Sequence, residues 1–197
     1  MKIGVLGFQG DVQEHVNALE RVFSSREGSI VQIRKSGDLD GLSGLIIPGG
    51  ESTTIFKLIK MYDIYDKIVR LAKKGMAVMG TCAGLIIISR ETNDDRVKGM
   101  GIIDVEIMRN AYGRQIDSFI EVVDIKGIGK FPAVFIRAPI IERAGNSDIM
   151  AVYGGRPIMV RGENILGLTF HPELTEDLRI HDYFVSMAER GGVPVEL

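Results

Sequence analysis

Cysteine is nearly absent from the sequence, since Cys82 is the single one among 197 residues. A disulfide within the chain is therefore excluded, and such sparse cysteine is typical of a reducing compartment. An excess of one charge is also lacking, because the formal net charge of −2 gives no reason to expect binding to nucleic acid or to an anionic membrane. No apolar run approaches the roughly 20 residues that span a bilayer, and Ile3–Phe8 is too short for a signal peptide. We therefore expect a cytoplasmic protein.

Motifs for metal ions and common cofactors are lacking as well. The chain has one cysteine and three histidines, and the histidines lie too far apart in sequence to suggest a metal site. The glycines after the first apolar run form no dinucleotide-binding fingerprint, and a Gly-Lys-Ser/Thr phosphate-binding loop is missing. We therefore expect a function that uses neither a metal ion nor a cofactor.

Apolar residues, 45% of the chain, alternate in its first half with patterns of helical periodicity. Runs that are apolar throughout and separated by helices predict a parallel sheet covered on both faces. One predicted helix carries an apolar stripe through Ile55–Leu71. The expected strands are Ile3–Phe8, Ile30–Arg34, Gly44–Pro48 and Met76–Gly80.

From about residue 100 onwards the pattern changes to strand-like segments with few helices between them. Such a series predicts an antiparallel extension of the same sheet, followed by a final helix at about Leu178–Arg190. Because the sequence shows no linker or internal repeat, its 197 residues are expected to form one α/β domain, 1–197. The expected strands here are Ile102–Arg109, Phe119–Asp124, Ala133–Arg137, Ile149–Tyr153, Pro157–Arg161 and Ile165–Phe170.

The clearest functional signal is GTCAG, Gly80–Gly84, between a predicted strand and a predicted helix. It has the G-x-C-x-G form of a nucleophile elbow, in which a sharp turn lifts the reactive side chain above the sheet and flanking glycines avoid clashes. The start of the helix favours a thiolate and offers free backbone N–H groups to an oxyanion. Cys82 is therefore the candidate nucleophile. The alternative is a small buried apolar residue, as free cysteines often are.

His171 is the candidate base, because it directly follows the apolar segment Ile165–Phe170 and functional groups converge at strand ends in α/β sheets. A histidine beside a thiol, whose ordinary pKa is near 8.5, raises the thiolate fraction and later protonates a leaving amine. Glu173 lies two residues further on, where it can accept the imidazole N–H and orient the ring. The alternative for His171 is a loop histidine bonded to backbone. His15 and His181 lie among charged residues on predicted helices and are expected to face solvent or a partner.

Two further loops supply candidates for substrate binding. The segment PGGEST, which starts at Pro48, ends a predicted strand and opens a helix. Adjacent glycines let backbone N–H groups turn towards a ligand, so Gly50 and Ala83 would together stabilise an oxyanion. The alternative is a plain loop in which Ser52 caps the helix. Arg109 opens the polar run RNAYGRQ and could clamp a substrate carboxylate, although the residues alone favour a solvated turn.

Five segments together, PGGEST, GTCAG, RNAYGRQ, FIRAP and FHPE, resemble the class I, triad-type glutamine amidotransferases. More closely, they are similar to the family of glutaminase subunits of pyridoxal phosphate synthase, as is the opening GVLGFQGDVQEH. The resemblance runs from about Ile3 to Glu173. GTCAG with HPE marks the superfamily, whereas the combination of PGGEST, RNAYGRQ and FIRAP is specific to the subunit family. The polar segment Phe23–Ser29 departs from the resemblance; it touches no matched functional position and is expected to be a surface loop.

The resemblance implies a flavodoxin-like α/β fold and the hydrolysis of L-glutamine to L-glutamate and ammonia. It implies that Cys82 is the nucleophile, His171 the base and acid, and Glu173 the residue that orients His171. The residues implied to contact glutamine are Gly50, Glu51, Ser52, Ala83, Arg109, Ile136 and Arg137.

A partner is implied by the resemblance alone. Ammonia would pass to a separate synthase subunit, which combines it with a pentose phosphate and a triose phosphate to make pyridoxal phosphate. Docking of that subunit would activate the glutaminase, and Gln9–His15 is the candidate docking surface. A peptide flip at Gly49-Gly50, which glycines permit, is a hypothesis for how the activity is gated.

The residues leave two other functions open. One is another elbow-cysteine hydrolase, such as a peptidase or an esterase-like enzyme, which acts on a different carbonyl and would not react with glutamine analogues. The other is a non-catalytic regulatory or binding subunit that keeps the fold. The presence of Cys82, His171 and Glu173 in their expected contexts argues against this second function.

Overall fold

The structure, a computed structural model, describes residues 1–109 and 118–191. Most of the polar run that begins at Arg109, residues 110–115, therefore lies outside the described residues. In the described ranges, no helix is long and apolar enough to cross a membrane.

The first half of the chain alternates strands with helices, as predicted. Each strand is only four or five residues long and consists mainly of apolar side chains, which suits strands buried in a parallel sheet. A short 3-10 helix, Ser36–Leu39, precedes the third strand. The elements are β1 Lys2–Leu6, α1 Val12–Phe23, β2 Ser29–Ile33, β3 Gly44–Ile47, α2 Ser52–Met61, α3 Tyr65–Ala72, β4 Ala77–Thr81 and α4 Ala83–Ile88.

The second half is mainly strands and ends on a helix. A second 3-10 helix, Pro172–Leu174, connects the last strand to that helix. The elements are β5 Glu91–Thr92, β6 Glu106–Met108, β7 Phe119–Ile125, β8 Gly129–Phe135, β9 Ile140–Arg143, β10 Asp148–Tyr153, β11 Arg156–Arg161, β12 Ile165–Leu168 and α5 Arg179–Glu189.

A seven-stranded sheet forms the centre, in the order β10-β11-β12-β4-β3-β1-β2. The five strands from β12 to β2 are mutually parallel, and β11 and β10 add an antiparallel edge. The predicted α/β class, with a mostly parallel sheet and an antiparallel extension, is confirmed.

The predicted antiparallel extension is wrong for the segments that form β6, β7 and β8, which lie outside the main sheet. Together with β5 and β9, which were not predicted, they form a three-stranded sheet, β5-β6-β9, and a hairpin, β7-β8. The last predicted strand, β12, does join the main sheet, but it pairs with β4 in parallel. In the hairpin, Val123 and Phe131 pack into the core on one side of the main sheet, whereas Ile120 and Val122 are exposed. The hairpin therefore contributes one apolar face to the core, and its strands pair with each other rather than with the sheet edge.

Alternate residues of each central strand pack against opposite layers. In β3, Ile46 belongs to the core beneath α1 and α5, whereas Leu45 and Ile47 belong to the core beneath α2, α3 and α4. Because successive strand side chains point to opposite faces, a strand that is apolar throughout fits a sheet covered on both sides. The sheet thereby holds its strand ends, and the loops after them, in fixed positions.

The single helix predicted through Ile55–Leu71 is two helices. The chain breaks at Asp63, whose φ of 54° lies in the left-handed region. Ile59 and Ile64 are both fully buried but five residues apart. In one continuous helix they would point about 140° apart. The break lets both side chains face the same core.

Candidate active site

The carboxyl ends of four neighbouring parallel strands, β12, β4, β3 and β1, meet at one edge of the sheet. The ends of β12 and β4 are level, because Leu168 pairs with Thr81. Loops that follow adjacent strands converge at such an edge, where α/β proteins bind their ligands. The residues in these four loops include His171, Cys82, Gly50, Glu51, Gln9 and Asp11.

Cys82 lies in the sharp turn between β4 and α4. Its φ of 48° and ψ of −103° are a conformation that a residue with a side chain adopts only when its surroundings enforce it. The Cys82 N–H donates to the Leu168 carbonyl at 2.8 Å, and the thiol lies 3.8 Å from the Ile136 carbonyl oxygen. The turn therefore has the elbow geometry that the sequence predicts around the candidate nucleophile.

The two glycines of the elbow are required by close packing. A Cβ on Gly84 would lie 1.9 Å from the Ile47 carbonyl oxygen, and one on Gly80 would lie 2.7 Å from the Gly84 backbone. Real Cβ atoms essentially never come within 3.0 Å of another heavy atom. The G-x-C-x-G pattern thus reflects direct contact of α4 with the strand ends.

His171 begins the turn after β12, and its backbone N–H donates to the Val134 carbonyl at 2.8 Å. The 3-10 helix that starts at Pro172 brings Glu173 back towards the ring, so that His171 Nδ1 lies 2.7 Å from Glu173 Oε1. A second carboxylate oxygen, Oδ2 of Asp11, lies 3.2 Å from the same nitrogen. Within the described residues, His171 Nε2 has no hydrogen-bond partner.

Opposing effects set the charge of this pair. Burial lowers the pKa of His171, but its interactions with Asp11, Cys82 and Glu173 outweigh burial and raise the pKa to about 12. Burial also raises the pKa of the Glu173 carboxyl, although contact with His171 lowers it. An imidazolium stabilised in this way is suited to protonate a leaving group.

His15 and His181 are both fully buried, so the prediction that they face solvent or a partner is wrong. His15 Nδ1 lies 3.0 Å from His181 Nε2. Its Nε2 lies 3.2 Å from Thr81 Oγ1 and 3.4 Å from Glu173 Oε2. The reason is that α1 and α5 pack against each other over the sheet, which turns both rings inward while charged neighbours stay outside.

The loop after β3 is held by the loop after β1. Gly50 has a φ of 145°, which L side chains rarely adopt. The Glu51 N–H donates to Gln9 Oε1 at 2.8 Å, and the Asp11 N–H donates to the Gly49 carbonyl at 3.3 Å. These bonds fix the backbone on which the candidate oxyanion donor lies.

Glu51, rather than Ser52, caps helix α2. Its carboxylate accepts the Thr53 N–H at 3.2 Å and the Thr54 N–H at 2.7 Å. Burial raises the pKa of Glu51, but the hydrogen bonds from Thr53 and Thr54 outweigh it and lower the pKa to about 2. The longer glutamate side chain reaches the free N–H groups of the first turn from the N-cap position, whereas Ser52 is already inside the helix and buried.

Arg109 lies in the wall of the site and is only 10% exposed, so a solvated position is wrong for its side chain. Its guanidinium forms an ion pair with Asp94, and Nη2 lies 3.6 Å from Glu51 Oε1. The Arg109 N–H donates to Asn93 Oδ1 at 2.8 Å. Because a guanidinium carries five N–H donors, these two acidic partners leave donors for a substrate carboxylate.

The groups surround a cavity of about 370 Å³, a size that suits a small ligand. Ile136 and Arg137 enter it from the connection between β8 and β9, where Arg137 has a φ of 46°. Every predicted site residue lines the cavity except Glu173, which lies behind His171. The wall consists of Gln9, Asp11, Gly50, Glu51, Ser52, Cys82, Ala83, Ile86, Arg109, Ile136, Arg137, Pro139 and His171.

The sequence reasoning missed Gln9 and Asp11 as members of this wall, since it assigned them only to a docking surface. They follow β1 directly, so the strand-end argument that identified His171 applies to them equally. Ligand atoms of Asp11, His171 and Glu173 lie within 4.8 Å of one another, close enough to hold a metal ion. The contacts of the two carboxylates with His171 already account for this proximity.

Comparison with solved structures identifies the fold. The chain is similar to a crystal structure of a glutamine amidotransferase, with a TM-score of 0.87 and 42% identity over 95% of this chain and 98% of that one. A structure of PurLQS from Thermotoga maritima shares the fold at 17% identity, with a TM-score of 0.66 over 94% of this chain and 97% of that one.

Sequence comparison identifies the family. The chain is 60% identical to pyridoxal 5'-phosphate synthase subunit PdxT of Thermoplasma volcanium over 97% of this chain and 96% of that protein. It is 53% identical to the protein of the same name from Thermoplasma acidophilum, over 98% of this chain and 96% of that protein. A model of the SNO glutamine amidotransferase family matches residues 5–190. The chain therefore belongs to the SNO glutamine amidotransferase family.

Proposed function

We propose that this chain is the glutaminase subunit of a pyridoxal phosphate synthase, with one glutaminase domain over residues 1–197. It hydrolyses L-glutamine to L-glutamate and ammonia. The observation that carries the proposal is the Cys82 elbow on the same cavity as His171, whose Nδ1 lies 2.7 Å from Glu173 Oε1. Family membership and the names of the relatives support the same activity.

Cys82 is the nucleophile in this mechanism. The amide carbonyl of glutamine points at the N–H groups of Gly50 and Ala83, and the thiolate attacks its carbon to give a tetrahedral oxyanion. His171 donates its proton to the leaving nitrogen, the C–N bond breaks, and a γ-glutamyl thioester remains on the sulfur. Water then gives a proton to His171 and attacks the thioester, which releases glutamate and restores the thiolate.

Glu173 orients His171 without touching substrate. Its Oε1 accepts the Nδ1–H of the ring, which leaves Nε2 for the proton transfers at the reacting atoms. The raised pKa of His171, about 12, favours the imidazolium that forms when the thiol is deprotonated. Removing Glu173 should therefore slow the reaction less than removing Cys82.

The other cavity residues bind the amino acid end of glutamine. We assign the substrate carboxylate to Arg109 and the amino group to the Glu51 region, since both side chains already lie 3.6 Å apart in the wall. Ser52, Ile136 and Arg137 complete the pocket.

Ammonia then passes to a synthase subunit, which combines it with a pentose phosphate and a triose phosphate. The relatives are named as synthase subunits, which supports a hetero-oligomer. Of the candidate docking surface Gln9–His15, only the outer side can meet a partner, because His15 is fully buried. The hydrogen bonds that join the Gln9 side chain to Glu51 and the Asp11 backbone to Gly49 would couple docking of the partner to the conformation of the oxyanion loop.

The test is glutamate release from glutamine by the purified chain, with and without the synthase subunit, beside a Cys82→Ala control. We expect Cys82-dependent release that rises sharply with the synthase subunit. Binding of the synthase without any release would favour a non-catalytic subunit. Reaction of Cys82 with other carbonyl substrates but not with glutamine would favour a different elbow-cysteine hydrolase.

A further inference from the structure

A row of buried polar groups lies behind Glu173, on the side away from the cavity. His15, on α1, contacts Glu173 Oε2 at 3.4 Å through Nε2 and His181 at 3.0 Å through Nδ1. Both histidines have no exposed surface. Buried polar side chains are costly unless they have partners, and the proposed chemistry does not use these two rings.

Glu173 Oε2 is buried and has no hydrogen bond among the described residues, and its contact with His15 Nε2 favours one arrangement of protons in the row. An ionised carboxylate only accepts, so a protonated Nε2 of His15 suits its 3.4 Å contact with Glu173 Oε2. The hydrogen bond of the same nitrogen is with Thr81 Oγ1 at 3.2 Å, and a hydroxyl can accept that N–H as well. His15 Nδ1 then carries a lone pair and accepts the Nε2–H of His181. The nitrogen left over is His181 Nδ1, which has no hydrogen-bond partner among the described residues. That nitrogen is unprotonated in this arrangement, and an unpaired acceptor is tolerated better than an unpaired N–H.

Four polar groups lie near the His15 ring. They are His181 from α5, Glu173 from the 3-10 helix, the Thr81 hydroxyl from β4, and His171 beyond Glu173. Burial, followed by the charges of His181 and His171, lowers the pKa of His15 well below its ordinary value. His15 therefore supplies an N–H donor to the carboxylate without adding a second positive charge.

Glu173 competes with another carboxylate for the catalytic ring. Asp11 Oδ2 lies 3.2 Å from His171 Nδ1, compared with 2.7 Å for Glu173 Oε1. The Asp11 side chain is 32% exposed, whereas that of Glu173 has no exposed surface. His15 Nε2, 3.4 Å from Glu173 Oε2, is placed to hold that otherwise unpaired oxygen in one orientation.

We propose that His15 is a positioning residue of the glutaminase, which holds Oε2 of Glu173 so that Oε1 stays on His171 Nδ1. His15 acts through Glu173 and touches neither substrate nor the reacting atoms. The inference rests on the proposed function, because it concerns the same reaction. It adds α1 to the elements that set the geometry of the triad.

Two substitutions separate the two contacts of His15. In His15→Gln the amide nitrogen reaches about as far as Nε2, so the donor to Glu173 is kept. In His15→Asn the amide reaches only as far as Nδ1, so the acceptor for His181 is kept and Glu173 loses its donor. Both variants place a neutral amide in the same buried position, and each serves as the control for the other.

The measurement is the pH profile of glutamate release in the presence of the synthase subunit. For His15→Asn we expect kcat to fall about 10- to 100-fold, as for other groups that orient a functional side chain, with KM nearly unchanged. The acid limb of its profile should move to higher pH, because a carboxylate without its donor is protonated more easily. His15→Gln should keep most of the wild-type kcat and its acid limb.

Equal kcat values and equal acid limbs in the two variants would overturn the inference. If His15→Asn fails to fold, His15→Leu, which keeps apolar packing and lacks the donor, carries the same expectation. A wild-type chain that releases no glutamate would overturn the proposed function, and this inference with it. A fully active wild type with an unaffected His15→Asn or His15→Leu would overturn this inference alone.

Discussion

Glu173 separates two buried histidine environments, one that favours a charged ring and one that favours neutral rings. The front side of Glu173 consists of Cys82 and His171. There the His171 ring is 3% exposed and has a pKa raised to about 12. On the back side, which consists of His15 and His181, burial lowers the pKa of the fully buried His181 to about 4. Burial disfavours the charged form in both places, so the carboxylate and thiol contacts of His171 reverse its shift. In this protein the groups that a buried histidine contacts, rather than the depth of its burial, decide its charge.

The largest expected effect comes from the front side. Cys82→Ala removes the nucleophile, so glutamate release should fall by at least about a thousandfold. The free energy of unfolding should stay within about 1 kcal/mol, because alanine has nearly the same volume in this position. Steady-state release and urea unfolding check both parts. Retained activity in a folded Cys82→Ala protein would rule out the mechanism.

Glu173 contacts His171 on the front side and His15 on the back side, so its loss should affect both sides. Glu173→Ala should lower kcat by about a hundredfold, less than Cys82→Ala, because His171 remains but loses its orientation. The Asp11 carboxylate, 3.2 Å from the same nitrogen, should preserve part of the activity. The comparison of Glu173→Ala with the double variant that adds Asp11→Ala checks this. An additional loss of less than about twofold in the double variant would mean that Asp11 does not compete for the ring.

The back side should limit stability at acid pH. Because the unfolded chain binds the His181 proton near its ordinary pKa of 6.5 and the folded chain near 4, acidification across this range favours unfolding. At about 1.4 kcal/mol per pH unit, the contribution lost is about 3 kcal/mol. His181→Gln keeps a donor for His15 without titrating, so its free energy of unfolding should fall less between pH 6.5 and 4.

Urea unfolding of both proteins at several pH values measures this difference. Parallel pH curves for wild type and His181→Gln would show that His181 is protonated in the folded chain, contrary to the account.

The smallest effect is expected for Glu51, which lies in the cavity wall and caps helix α2. Glu51→Ala removes the N-cap of α2 and should cost about 1 kcal/mol of unfolding free energy. Glu20→Ala, at an exposed position within α1, is the matched control and should change stability by less than about 0.5 kcal/mol. Urea unfolding at neutral pH measures both. Equal stabilities of the two variants would mean that the hydrogen bonds from Thr53 and Thr54 add little.

Features whose causes are local could be predicted from the sequence. The elbow at Cys82 is one, because its tight packing leaves no room for a Cβ at Gly80 or Gly84, and both glycines are visible in the sequence. The parallel sheet is another, since apolar strands such as β3 and β4 indicate burial on both faces. The break at Asp63 was missed, although its cause is also local, because Ile59 and Ile64 are out of phase for one helix.

Features that depend on packing between distant segments could not be predicted. His15 has charged neighbours in sequence, and only the contact of α1 with α5 turns its ring inward. The residues alone favoured a solvated turn for Arg109, and only the family resemblance predicted a contact with substrate. Its ion pairs with Asp94 and Glu51, which lie far from it in sequence, make it part of the wall. The separate sheet β5-β6-β9 likewise depends on long-range pairing, such as that of β6 with β9, which strand propensity does not encode.

The most direct test of the central claim is covalent labelling with a glutamine analogue that carries a reactive ketone in place of the amide. We predict one label per chain, on the peptide that contains Cys82, with protection by free glutamine and no label in Cys82→Ala. Iodoacetamide, which needs no substrate site, is the control for access to the thiol. Labelling of Cys82 by iodoacetamide but not by the analogue, with the synthase subunit present, would contradict the assignment of this cavity to glutamine.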